Sequence, residues 1–169
     1  MTTTQNRLWT VEEYHRMIDA GILTTEDKVE LLDGNIMQMS PQSPIHAGTT
    51  QRIDSYLQKL LHGKADIRIQ PPITLSTSEP EPDIAVVEID PNFDIDHHPN
   101  AAEILLLIEV ADSSLEVDQQ IKIPIYAQAN IADYWIVDTI TLQVYIYRQP
   151  SATDYQQKIT LPATASIAP

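Results

Sequence analysis

Three short runs between Pro82 and Lys122 decide how this chain is read. They are Pro82-Asp83-Ile84-Ala85-Val86-Val87, then Ile104-Leu105-Leu106-Leu107-Ile108-Glu109-Val110, then Asp118-Gln119-Gln120-Ile121-Lys122. The first two are apolar and of strand length, and each carries one carboxylate near an end. Residues 104–110 are the most hydrophobic run in the chain. They predict a central strand buried on both faces, which calls for helices on both sides of the sheet. Glu109 is the anomaly there, because acids are almost never fully buried unless paired or metal-bound. A satisfied ion pair is one reading. The tip of a central strand in an α/β sheet is also where sites form, and that reading is favoured. Acid, acid, lysine is the minimum set for a divalent-metal phosphodiesterase, in which carboxylates hold the ion and a cation assists the nucleophile.

Outward from this segment, Asp112-Ser113-Ser114 caps a predicted helix over about 115–129, in which Pro124 should make a kink or start a new turn, and which Asn130 can end in a left-handed conformation. On such a helix Asp118, Lys122 and Tyr126 share one face at intervals of four; an ordinary exposed Asp–Lys pair is the bland alternative. Residues 133–138 and 142–148 read as paired strands, and 155–160 as an edge strand. Upstream, 65–70 alternates at period two and 73–75 continues it past Pro71-Pro72, as one broken strand or two short ones. Residues 88–102 form a polar insertion whose His97-His98 pair reads as incidental surface histidine. Ser43 and Pro44 open a helix over about 44–62, with Ile45, Thr49, Ile53, Leu57, Leu60 and Leu61 as its core stripe and His46 in its first turn. Asp33-Gly34 between apolar runs signals a hairpin with a type I′ turn, placing Glu30 in its first strand as an edge glutamate. Thr10 and Glu13 form a capping box for a helix over about 11–20.

At 169 residues the chain has the length of a single domain over 1–169, with a core of about 28–148 and a flexible tail from about 161. Its 43% hydrophobic and 20% charged residues are ordinary for a globular protein. It has no cysteine, which excludes disulfides and thiolate metal sites. The first residues lack a signal-peptide apolar core and no run has membrane-spanning length, so a cytoplasmic protein with no membrane partner is expected. Its 24 acids against 10 bases give a net charge of −14 and no basic footprint. The plain reading of that charge is solubility and colloidal repulsion; the functional one is that a polyanionic substrate is met locally, through a metal ion, and composition alone argues mildly against a tight nucleic-acid binder.

The predicted αβββαβ order, with Pro82-Asp83 opening one strand and Glu109 in the next, resembles the PD-(D/E)XK nuclease core. The α/β (α+β) fold expected is a mixed central sheet flanked by helices, with an N-terminal helix and hairpin in front. More closely, Val29-Glu30-Leu31-Leu32-Asp33-Gly34, Met39-Ser40-Pro41 with Ser43, Pro44 and His46, Glu81-Pro82-Asp83-Ile84, Ile108-Glu109-Val110, Asp118 with Lys122 and Tyr126, and Tyr134-Trp135-Ile136-Val137-Asp138 resemble the motifs of the Uma-type "putative restriction endonuclease" family. That resemblance covers nearly the whole chain.

It implies that Asp83 and Glu109 match the motif acids and ligate metal, with Glu30 of the leading hairpin as a further acid. The parent nucleases have a lysine two residues past the glutamate, where this chain has Ala111; the family's substitute on the next helix falls on Lys122. The catalytic set is then Asp83, Glu109, Lys122 and Glu30, with His46, Asp118 and Tyr126 nearby. One or two Mg²⁺ or Mn²⁺ ions would be the cofactor, DNA the substrate, and a homodimer a plausible assembly for cutting two strands. The alternative is a non-catalytic nuclease-fold protein used for binding or assembly.

Overall fold

A computed structural model describes residues 6–92, 95–162 and 164–165. In chain order the elements are α1 (Val11–Asp19), β1 (Val29–Leu32), β2 (Asn35–Gln38), α2 (Pro44–Leu60), β3 (Asp66–Arg68), β4 (Ile84–Val87) and β5 (Ile104–Ala111). There follow α3 (Leu115–Val117), a π-helical turn (Asp118–Lys122), α4 (Ile123–Gln128), β6 (Asp133–Asp138), β7 (Gln143–Pro150) and β8 (Tyr155–Pro162). The main sheet has the order β3-β4-β5-β6-β7-β8. Only β5 and β6 run parallel in it; the other neighbours are antiparallel. The helical segment between β5 and β6 supplies the crossover that a parallel pair requires. This is the mixed sheet flanked by helices that the sequence predicts.

Central strand β5 is covered on both faces. Leu106 and Ile108 pack with Ile84, Val86 and Leu57 of α2. Ile104, Leu107 and Ala111 pack instead with Ile123, Ile125 and Tyr126 of α4 and with Ile136 and Tyr134. Tyr134 is fully buried and meets Tyr126 edge-on, with ring centroids 4.8 Å apart. Its hydroxyl donates to the Asp118 carbonyl at 3.2 Å, tying β6 to the π-helical turn.

Local signals in the sequence are met closely. Thr10 and Glu13 form the capping box. Asp33 and Gly34 both adopt positive φ, 45° and 75°, in the turn between β1 and β2. Asn130 ends the crossover at φ 61°. Gly34 is doubly constrained, because a Cβ there would sit 2.7 Å from Leu8 Cβ and 3.1 Å from the Trp9 carbonyl. Gly34→Ala is therefore expected to cost about 1–3 kcal/mol in urea unfolding. An unchanged midpoint would mean that the turn is free to rearrange.

Four expectations need correction. The strand foreseen across 65–75 reduces to β3, because Gln70 turns at φ 69° and two prolines without amides follow; Thr74 keeps only an isolated bridge to Asn100. The α2 stripe is met only in part: Ile53, Leu57 and Leu61 pack on the core as expected, but Ile45 and Leu60 are exposed, whereas His46 and Thr50 are buried. The helix over 115–129 restarts as α4, with Pro124 in the new turn that the proline allowed. Pro124 has no N–H to give the Gln120 carbonyl, and the ladder widens into the π-turn over Asp118–Lys122. Ser114 occupies the cap position without a side-chain cap bond. Finally, β8 runs to Pro162, paired with Gln143 of β7, so the chain is still in the sheet where a tail was expected. The rest of that expected tail lies outside the described residues, apart from 164–165.

Candidate functional site

The site is assembled where the entrance of β4, the C-terminal half of β5, the π-turn, the hairpin and the start of α2 meet. Asp83 immediately precedes β4, which pairs with β5 through Ile84 and Ile108. That register sets Asp83 beside Glu109 and Val110. Asp83 Oδ2 accepts from the Val110 amide at 2.8 Å and faces His46 Nε2 at 3.0 Å. The Asp83 amide reaches Glu109 Oε2 at 3.4 Å. Oδ1 of Asp83 takes no hydrogen bond from the described residues, so one carboxylate oxygen is fixed and the other is not.

Glu109 is 3% exposed. Its Oε1 accepts from Lys122 Nζ at 2.9 Å and from the Tyr126 hydroxyl at 3.1 Å. Lys122 and Tyr126 thus converge on one oxygen, although the helix carrying them is interrupted. Lys122 Nζ also lies 3.5 Å from Glu30 Oε2 and 3.8 Å from Asp118 Oδ1. Asp118 is held in turn by the Ser114 hydroxyl at 2.7 Å.

Glu30 is not the exposed edge residue of the plainest reading; it is 6% exposed. The reason is tertiary. Leu31 exchanges backbone hydrogen bonds with Glu79, Gly34 N–H donates to the Thr77 carbonyl, and Asp33 N–H donates to Ser78 Oγ. These dock the hairpin against residues 77–81, and the Glu81 amide then donates to Glu30 Oε2 at 3.1 Å. Residues 79–83, Glu-Pro-Glu-Pro-Asp, carry the sequence signal for this docking segment: prolines restrict an extended stretch whose acids recur at period two.

The buried acids and cations are unequal in number. Glu30, Asp83, Glu109 and Asp118 face one lysine and one histidine, all under 9% exposed. Burial pushes Glu109 well above the ordinary carboxylate range; Lys122 opposes the shift, and Asp118, Asp83 and Glu30 reinforce it. Asp118 is also raised, chiefly by burial. Burial works against the Lys122 ammonium, but Glu109, Glu30 and Asp118 outweigh it and keep the lysine charged. The Tyr126 hydroxyl is held protonated by burial and by the neighbouring acids, so it remains a donor. His46 is raised by its hydrogen bond to Asp83, against the effect of burial. Its Nδ1 is buried without a partner.

The seven predicted site residues are thus brought into one buried neighbourhood, but Glu30 is linked to Glu109 through Lys122, which pairs with both, and not directly. Among the described residues, a group of three donors within 4.8 Å of one another occurs at Asp90, Asp96 and His97, and not at Glu30, Asp83 and Glu109. Like-charged carboxylates repel, and the ammonium takes the space between them. His97 fits its reading as surface histidine: it is exposed and paired with Asp96 at 2.8 Å and Glu103 at 3.3 Å. No helix among the described residues is long and apolar enough to cross a membrane.

A family model described as "Uma2: Putative restriction endonuclease" matches residues 11–169. Among solved structures, the chain is similar to a crystal structure of a "putative nuclease belonging to DUF820" from Anabaena variabilis ATCC 29413. The TM-score is 0.75 at 19% identity, over 95% of this chain and 88% of that one. At that identity the likeness carries the fold. No curated protein matches the chain.

Proposed function

The chain belongs to the Uma2 family, described as "Putative restriction endonuclease", and from that membership and the site's geometry we propose that it is a divalent-metal-dependent DNA endonuclease. The observation that carries the reading is Asp83, with Oδ2 fixed by Val110 N–H and His46 and Oδ1 free, beside a buried Glu109. A divalent cation fits the donor chemistry. The acids are hard oxygen ligands suited to Mg²⁺ or Mn²⁺, and their negative charge exceeds what one ammonium and one imidazole supply. When bound, the ion would lower the pKa of a water and stabilise charge on the phosphate.

The chain's own residues then divide the remaining work. Asp83 and Glu109 hold the ion, and His46 and the Val110 amide orient Asp83. Lys122 stays protonated, so it acts through its charge and its N–H donors, stabilising developing negative charge, rather than as a general base. Tyr126 shares Glu109 Oε1 with Lys122 and fixes the carboxylate's orientation. With a net charge of −14, DNA is met at this pocket rather than by a basic surface, and binding without the ion should be weak.

One observation favours a second reading. Lys122 already pairs with Glu109 and Glu30, as it would in a non-catalytic nuclease-fold protein used for binding or assembly. Incubation with supercoiled plasmid separates the two. Nicking or linearisation is expected with Mg²⁺ or Mn²⁺ and none with EDTA. An intact plasmid under every metal condition would favour the non-catalytic reading.

A further inference from the structure

Lys122 Nζ is surrounded by Glu109 Oε1 at 2.9 Å, Glu30 Oε2 at 3.5 Å and Asp118 Oδ1 at 3.8 Å, all in buried side chains. Three carboxylate oxygens around one point form an environment that a hard cation could occupy. Glu109 faces two ways: Oε1 belongs to the ammonium, while Oε2 is directed at the Asp83 backbone. Asp83, for its part, has Oδ2 committed to Val110 and His46. The position between Glu109, Glu30 and Asp118 is thus filled by a cation of the chain's own, on the side of Glu109 away from the Asp83 amide.

Resting on the metal-dependent reading above, we infer that the pocket takes a single divalent ion at Asp83 and Glu109, and that the Lys122 ammonium stands where a second ion would sit. Glu30 and Asp118 then serve the lysine rather than an ion. Charge supports this count. With all four buried carboxylates ionised, one ammonium and one divalent ion leave at most a single negative charge, which a protonated His46 would cancel, whereas a second divalent ion would make the pocket positive. The second ion would also lie against the ammonium, and like charges at that range in a buried site oppose each other strongly. Two-ion sites place their metals about 3.5–4 Å apart, a spacing that leaves no separate room for the lysine head.

The test is a count of bound Mn²⁺ on the full chain by electron paramagnetic resonance, taken as the excess over the Asp83→Asn variant so that surface sites such as Asp90, Asp96 and His97 cancel. One Mn²⁺ per chain is expected for the unsubstituted protein and two for Lys122→Ala. Should Lys122→Ala lack the native circular dichroism spectrum, Lys122→Gln replaces it with the same expectation. Glu30→Gln should keep one ion with affinity within about threefold, against the roughly 10-fold or greater loss expected for a ligand or its direct support. Two ions on the unsubstituted protein, a single ion on a folded Lys122 variant, or a tenfold loss in Glu30→Gln would each overturn the inference. No excess Mn²⁺ on the unsubstituted protein would remove the metal-dependent function itself, and the inference with it.

Discussion

Asp83→Asn is expected to lower Mg²⁺-dependent plasmid cleavage by roughly 1,000-fold, about 4 kcal/mol of transition-state stabilisation. It should also abolish the rise in melting temperature that Mg²⁺ gives the unsubstituted protein. The two readouts have different origins. Cleavage reports the ion's work on the phosphate, whereas the melting shift reports binding to the folded state alone. At a hundred times its dissociation constant an ion adds about 2.7 kcal/mol. For a chain of this size that corresponds to roughly 5–11 °C. Without metal, the variant should melt within a few degrees of the unsubstituted protein. Asparagine retains an oxygen that can accept from Val110 N–H, and the substitution removes one charge from an acid-rich pocket. A variant that cleaves at the original rate, or that keeps the full Mg²⁺ shift, would show that Asp83 is not a ligand. A large melting loss without metal would assign it a mainly structural role.

Lys122→Met has the largest expected effect on stability. Removing one partner of a buried ion pair strands the other charges, at a cost of about 3–5 kcal/mol. Here three carboxylates lie within 4.0 Å of the ammonium that would be lost. The contrast is Lys158→Met. That lysine pairs with Asp154 at 2.8 Å, but both side chains are about half exposed, and water screens the pair to less than about 1 kcal/mol. Urea unfolding of both variants without divalent metal measures the difference. Equal midpoints would mean that the surrounding carboxylates do not depend on the lysine.

Asp83 and Glu109 could be picked out of the sequence because each breaks a local pattern. Asp83 interrupts a proline-bounded entry to an apolar strand, and Glu109 interrupts the most hydrophobic run in the chain. The capping box at Thr10, the Asp33-Gly34 turn and the stop at Asn130 were equally legible. Each depends on the conformational preferences of one to four neighbouring residues, which the tertiary structure has no reason to overrule. The order of strands and helices follows from hydrophobic period in the same way.

The burial of Glu30 could not be read locally, since it comes from the hairpin docking on residues 77–81, nearly fifty positions away. Nor could the facing of α2. Ile45 and Leu60 belong to its apolar spacing, yet the helix turns His46 and Thr50 inward, and His46 thereby reaches Asp83. The π-turn is a third case: Pro124 announces a break, but only packing against β5 and the Tyr134 bond to Asp118 decides that Lys122 and Tyr126 still converge on Glu109. Sequence by itself determined which chemical groups the site contains and which elements carry them, because those depend on local preference and period. Tertiary structure alone decided which groups touch and where the ammonium sits among the acids, because those depend on contacts between segments far apart in the chain.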